Sequence, residues 1–170
     1  MDDAFDDLLA ANARYAEVEH EVADSGVARR GLAIVTCIDS RIDPLAVFGL
    51  VPGDAKILRN AGARVTDDVE RSLALATAAL GVVRIAVVEH TDCKLTQSDD
   101  AELAAAVGAA TGRKPAGFEP LAIADQSTAL HADIERLLAS PLLPDGVVVA
   151  GLVLDLRSGR LATVVEPRVR

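Results

Sequence analysis

The chain has 170 residues, of which 51% are hydrophobic and 2% aromatic, and its formal net charge is −9. This length suits one domain, and the acidic balance argues against nucleic acid or an anionic membrane surface as a partner. No apolar run approaches the about 20 residues of a membrane span, and the first residues are acidic, unlike a secretion signal. We therefore expect a cytoplasmic protein with two reduced thiols rather than a disulfide.

Helix and strand patterns alternate along the chain and predict a single α/β domain over residues 1–170, with its core over about 30–166. Residues 3–24 carry an apolar stripe at steps of four and three, which predicts a helix that packs on the domain or reaches another subunit. A hairpin turn at 157–160 predicts an antiparallel edge strand over 161–165. Apolar runs predict parallel strands over 32–35, 55–59, 84–88 and 147–154.

Helix signals lie between these strands. Asp43 and Pro44 are typical of the first positions of a helix, which we expect to end at Leu50. Capping residues and apolar periodicity predict three further helices, over residues 66–80, 98–110 and 121–139.

Polar clusters follow the first and third predicted strands. Cys37 follows the first strand, and His90 and Cys93 follow the third. Because ligands bind at the carboxyl edge of a parallel sheet, we expect these side chains to meet there. Two thiolates and one imidazole are zinc ligands that leave one tetrahedral position open, which is typical of a catalytic site. Taken singly, each residue is more often an ordinary buried side chain, so the hypothesis depends on both clusters sharing one edge.

Asp39 and Arg41 lie two residues apart after Cys37, so in an extended segment both side chains project to the same side. One interpretation is a surface ion pair of little energetic value. The other is that Arg41 holds Asp39 in place while Asp39 accepts a hydrogen bond from a zinc-bound water.

Cys37-x-Asp39-x-Arg41 followed by His90-x-x-Cys93 resembles the zinc signature of the β-class carbonic anhydrases. The resemblance continues in the segments 59–62 and 68–73 and in the C-terminal hairpin. It covers about residues 30–166 and is strongest to the short actinobacterial members. It implies a central, mainly parallel β-sheet flanked by helices, assembled as a homodimer or homotetramer.

The resemblance also implies roles for particular residues. Zn²⁺ would be bound by Cys37, His90 and Cys93, and Asp39 and Arg41 would form the catalytic pair. Backbone N–H groups around Gly62 would help to place the substrate. The family includes members in which the aspartate pairs with the arginine and others in which it ligates zinc, so both states stay open.

The implied function is reversible hydration of CO2 to bicarbonate and a proton. Hydrolysis of carbonyl sulfide or carbon disulfide at the same site is the alternative, and a catalytically weak zinc-binding homologue is a third interpretation. Lys94 departs from the family, whose members usually have glycine directly after the second cysteine. Its side chain either extends to solvent from an adjusted turn or alters the pocket, while Glu89 is either solvated or paired with Lys94.

Overall fold

A five-stranded β-sheet forms the centre of the computed structural model, which describes residues 4–18 and 25–170. The strands are β1 Leu32–Cys37, β2 Ala55–Asn60, β3 Arg84–His90, β4 Val148–Leu154 and β5 Leu161–Val169. Their spatial order is β2-β1-β3-β4-β5. The first four are parallel and β5 runs antiparallel to β4. The predicted α/β fold with an antiparallel edge hairpin is confirmed.

Five α-helices accompany the sheet among the described residues: α1 Asp6–Glu17, α2 Pro44–Phe48, α3 Asp67–Ala79, α4 Asp100–Thr111 and α5 Gln126–Ala139. The capping signals read from the sequence act as expected at three of them. Asp43, Thr66 and Asp99 each accept a hydrogen bond from a backbone N–H in the first turn of their helix. In the described part of the chain, no helix combines the length and the apolar character that crossing a bilayer requires.

The strand order determines where the functional residues meet. The chain leaves β1 for β2 on one side of it and then returns to form β3 on the other side. The carboxyl ends of β1 and β3 are therefore neighbours at the point where the strand order reverses, which is where open α/β sheets bind ligands. Thr36 at the end of β1 donates a hydrogen bond of 3.1 Å to the Val88 carbonyl of β3 and ties the two ends together.

The two faces of the sheet are covered unequally. Helices α3 and α5 pack on one face, where Leu73, Ile134 and Leu137 are fully buried. The other face buries Ile34, Val88, Leu95, Ile123 and Leu154 together with both cysteines. Five strand residues on this second face are only partly buried: Leu32, Ala55, Ile57, Ala86 and Leu152. Within residues 4–18 and 25–170, this side of the sheet is thus incompletely covered.

Helix α5 begins at Gln126, five residues after the predicted start. Leu121 has a left-handed φ of 59°, which no helix accommodates. The N–H groups of Ala122 and Ile123 donate to the Asp100 carboxylate and the Leu95 carbonyl, each over 2.8 Å. These bonds hold the segment in an extended course across the second face until Asp125 caps the helix.

Helix α1 is shorter than the predicted 3–24. It ends at Glu17, where Val18 becomes extended, and residues 3 and 19–24 lie outside the described residues. None of its side chains is buried. Phe5, Leu8 and Leu9 are 67%, 59% and 66% exposed, so the apolar stripe is not packed into the core of the chain.

Candidate metal centre

The structure brings Cys37, His90 and Cys93 together at the carboxyl edge of the sheet. Their ligand atoms all lie within 4.8 Å of one another, and all three residues are buried. Cys37 and His90 are the last residues of β1 and β3, and Cys93 follows in the turn after β3. No other group of three or more ligand-type residues with this spacing occurs among the described residues. The three side chains therefore lie close together, as the sequence predicted.

The hydrogen bonding of His90 leaves one ring nitrogen available. Its Nδ1 lies 2.8 Å from the carbonyl oxygen of Thr91, which can only accept, so Nδ1 carries the proton. Nε2 is buried and has no hydrogen-bond partner among the residues that the structure describes. A neutral imidazole held in this tautomer presents its Nε2 lone pair to the two sulfurs, as a metal ligand does.

The sulfur of Cys37 is prepared as an anion by its neighbours. The Cys93 thiol donates to it, and this hydrogen bond lowers the pKa of Cys37 against the opposing effect of burial. The same bond, together with burial, raises the pKa of Cys93. The backbone N–H of Gly62 also donates to the Cys37 sulfur, over 3.4 Å. A thiolate is the form of cysteine that binds a metal.

Gly62 approaches this site so closely that a side chain would not fit. Its φ is +75°, and a Cβ atom would lie 2.6 Å from Leu95 Cδ2 and 3.3 Å from Ile123 Cδ1. The glycine therefore lets the backbone reach Cys37. Its N–H points at the sulfur, and the role of this segment in placing a substrate stays a prediction.

Asp39 and Arg41 form a bidentate pair beside the trio. Asp39 Oδ1 accepts from Arg41 Nε over 2.9 Å, and Oδ2 accepts from Arg41 Nη2 over 2.7 Å. Asp39 Oδ2 lies 3.9 Å from Nε2 of His90. The Arg41 side chain holds the pKa of Asp39 well below its usual range. Of the two states left open by the sequence, the structure shows the one in which the carboxylate pairs with arginine.

Three polar residues near the trio had no role assigned from the sequence. Arg59 donates to the carbonyls of Cys37 and Asp39, over 3.0 and 2.7 Å. Gln126 donates over 3.0 Å to the carbonyl of His90. These two side chains fix the backbone that carries the ligand-type residues. The third residue, Asp92, accepts a hydrogen bond from Arg41. Its position in the sequence between His90 and Cys93 was the signal that pointed to a role at this site.

The structure agrees with one of the two interpretations of Lys94 and with neither interpretation of Glu89. Lys94 is exposed and begins a 3-10 turn, and its φ is not among the positive values of the described non-glycine residues. Its backbone therefore does not need glycine, in agreement with a solvated side chain. Both interpretations of Glu89 were wrong. It is only 1% exposed, on the opposite face of β3 from His90, and burial raises its pKa to about 7.

The fold and the site define an α/β protein whose switch point holds two thiols, an imidazole and a restrained carboxylate. Closed structural zinc sites use four protein ligands, whereas sites with three leave a position for a reactant. The class is therefore that of an α/β protein with a three-residue cluster at its sheet edge that could hold a metal ion.

Comparisons with known proteins identify the family. The family model described as carbonic anhydrase matches residues 32–112. Beta-carbonic anhydrase 1 of Mycobacterium tuberculosis is 33% identical over 159 residues, which cover 94% of this chain and 96% of that protein. The crystal structure of carbonic anhydrase from Streptococcus mutans has a TM-score of 0.87 at 36% identity, covering 94% of this chain and 96% of that one. The chain belongs to the β-carbonic anhydrase family of lyases.

A second kind of relative is also similar to the chain. Carbon disulfide hydrolase of Acidianus sp. is 31% identical over 156 residues, which cover 78% of this chain and 76% of that protein. Relatives of this one chain thus carry two different activities in their names.

Proposed function

We propose that the protein catalyses the zinc-dependent, reversible hydration of CO2 to bicarbonate and a proton. The observation that carries this proposal is the buried trio of Cys37, His90 and Cys93 with the Arg41-bound carboxylate of Asp39 beside it. Family membership supports the same reaction, since most of the similarity is to carbonic anhydrases.

The donor set fits Zn²⁺. Cys37 and Cys93 would bind it through sulfur and His90 through Nε2, the buried nitrogen that lacks a hydrogen-bond partner in the described chain. When bound, Zn²⁺ supplies a Lewis acid that lowers the pKa of water and so provides a nucleophile near neutral pH. Two thiolates neutralise the charge of the metal, so the surrounding residues matter more for placing the reactants.

Asp39 and Arg41 would orient the attacking water. Oδ2 of Asp39 accepts one hydrogen bond from Arg41 and retains a lone pair 3.9 Å from His90 Nε2. That lone pair would accept a hydrogen bond from the water and so direct the oxygen lone pair of the water to the carbon of CO2. Because the pKa of Asp39 is held low by Arg41, the carboxylate stays ionised and acts as an acceptor throughout.

The test compares two histidines. His90→Ala removes a proposed ligand, whereas His131→Ala changes an exposed histidine of α5 that hydrogen-bonds to Ser127 of its own helix. We expect His90→Ala to lose zinc, measured by plasma mass spectrometry, together with CO2 hydration in a stopped-flow assay. His131→Ala should retain one zinc per chain and the wild-type rate. Full zinc content and activity in His90→Ala would contradict the proposal.

Hydrolysis of carbon disulfide or carbonyl sulfide is the second candidate, and the similarity to a carbon disulfide hydrolase favours it. Both substrates are linear electrophiles that the same site can attack, so the trio does not distinguish them. Measuring kcat/KM on CO2, carbonyl sulfide and carbon disulfide with one preparation decides the matter. We expect CO2 to give the highest value, and a higher value for either sulfur compound would reassign the enzyme.

We further propose that the protein is a homo-oligomer, at least a dimer. Helix α1 exposes Leu8 and Leu9 while the second face of the sheet leaves Leu32 and Leu152 only partly covered. A second copy that lays α1 on such a face would bury both surfaces.

Charge substitution on α1 tests this assembly without removing any buried group. Leu9→Glu should shift the protein towards monomer in sedimentation velocity at micromolar concentration. Ala10→Glu, which lies about 160° around the same helix from Leu8 and away from the apolar stripe, is the control and should leave the oligomer intact. A wild-type monomer, or an unchanged oligomer in Leu9→Glu, would show that α1 does not mediate association.

A further inference from the structure

The Arg41 guanidinium lies between two carboxylates rather than one. On one side Nε and Nη2 bind Asp39, over 2.9 and 2.7 Å. On the other side Nη1 binds Oδ2 of Asp92 over 2.8 Å, and Nη2 binds the Asp92 backbone carbonyl over 3.0 Å. A planar guanidinium that is hydrogen-bonded along both edges is restricted to one orientation.

Asp92 is itself fixed in place by two features. Its backbone is left-handed, with φ of 59°, a conformation that aspartate tolerates better than most residues. Its Oδ1 accepts a hydrogen bond of 2.6 Å from the side chain of Gln97. The turn between His90 and Cys93 and the side chain of Gln97 therefore aim the second oxygen of Asp92 at Arg41.

Asp39 requires such restraint because it lies close to the metal ligands. Its Oδ2 is 3.9 Å from His90 Nε2, and a carboxylate oxygen is itself a zinc ligand. A pair between Asp39 and a half-exposed arginine is weak when it stands alone, because a long side chain loses much rotamer freedom in forming it. A second acceptor on the far edge of the guanidinium restricts the Arg41 side chain, which would otherwise keep much of its rotamer freedom at this half-exposed site.

We propose that Asp92, anchored by Gln97, is a positioning residue that holds Arg41 in the orientation that pairs with Asp39. It keeps Asp39 turned away from the metal and available to orient the attacking water. This inference rests on the proposed function and extends it: the pair of Asp39 and Arg41 becomes a network that links the two sheet-edge loops.

Asp92→Asn is the informative substitution, because asparagine also tolerates the left-handed backbone and preserves the turn. The variant loses the negative charge that Asp92 presents to Arg41. Asp68→Asn is the matched control, since Asp68 is an exposed carboxylate that pairs with Arg71 over 2.8 Å within α3. We expect kcat/KM for CO2 to fall about tenfold in Asp92→Asn with one zinc per chain retained, and to stay unchanged in Asp68→Asn.

A double substitution separates positioning from a general structural effect. In an Asp39→Asn background the group that Asp92 controls is gone, so adding Asp92→Asn should lower kcat/KM no further. If the two substitutions multiply, or if Asp92→Asn alone leaves kcat/KM unchanged, Asp92 does not act through Asp39 and the proposal is overturned.

A measurement on the metal-free protein tests, without any catalytic readout, whether Asp92 restrains the Arg41 side chain. The Arg41 Nε–H resonance, assigned by its absence in Arg41→Lys, should exchange with water at least tenfold faster in Asp92→Asn than in the wild type. Unchanged exchange would overturn the positioning role. If the zinc-loaded wild type fails to hydrate CO2, the proposed function fails, whereas the exchange result still decides whether Asp92 restrains Arg41.

Discussion

Gly62→Ala is the substitution for which the structure gives the sharpest quantitative expectation. The new Cβ would lie 2.6 Å from Leu95 Cδ2, whereas ordinary contact begins at 3.4 Å, so the two groups must separate by about 0.8 Å. Leu95 is buried and follows Cys93 by two residues, so the part of this separation that the leucine side chain does not absorb displaces the turn that carries a proposed ligand. Zinc ligand distances tolerate only about 0.2 Å.

Two costs add at this position. Alanine in a left-handed conformation costs about 1–2 kcal/mol, and overpacking of a well-packed site typically costs about 1–3 kcal/mol. We therefore expect the free energy of unfolding of the zinc-loaded protein to fall by about 2–5 kcal/mol. Zinc affinity should fall at least tenfold, equivalent to about 1.4 kcal/mol.

Gly112→Ala isolates the conformational cost. Gly112 also has a left-handed backbone, with φ of 66°, but no atom lies within 4 Å of the position that its Cβ would take. Urea unfolding of both variants, followed by competition with a chromophoric zinc chelator, measures stability and affinity. Equal losses in Gly62→Ala and Gly112→Ala, with zinc affinity unchanged, would refute the argument that close packing at Gly62 sets the geometry of the site.

Three further predictions concern other parts of the chain. Asp43→Ala removes the acceptor of two backbone N–H groups at the start of α2 and should lower the free energy of unfolding by about 1 kcal/mol in urea titrations. Lys94→Gly should leave kcat/KM for CO2 within about twofold, since the side chain is exposed and the backbone is not left-handed; about a tenfold gain, or 1.4 kcal/mol of barrier, would show that Lys94 suppresses activity. The Ser140 hydroxyl and then Arg136 lower the pKa of Glu70 from its ordinary 4.5, so its stabilisation is present above pH 4.5 and is lost as the pH falls further. Glu70→Gln should thus be less stable than the wild type at pH 7, with a deficit that shrinks in urea titrations at pH 3; a constant deficit would contradict this linkage.

The order of elements and the trio could be predicted from the sequence because both depend on local patterns. Continuous apolar runs indicate strands buried on two faces, and parallel strands bring Cys37 and His90 to one edge whatever the details of packing. The capping residues Asp43 and Asp99 likewise act within three residues of themselves.

The remaining features depend on contacts between distant parts of the chain. The start of α5 is delayed because Ala122 binds Asp100 and Ile123 binds Leu95, and neither bond is visible in a helical periodicity. The burial of Glu89 follows from helices that cover the far face of β3. The second carboxylate on Arg41 appears only when the loops after β1 and β3 are brought together.

The central claim is that one zinc bound by Cys37, His90 and Cys93 makes the protein a CO2 hydratase. The most direct test removes the metal with a chelator, returns zinc in measured fractions, and follows CO2 hydration by stopped-flow at each step. The account predicts activity that rises in proportion to zinc and stops rising at one zinc per chain. Protein saturated at one zinc per chain that hydrates CO2 no faster than buffer would contradict it.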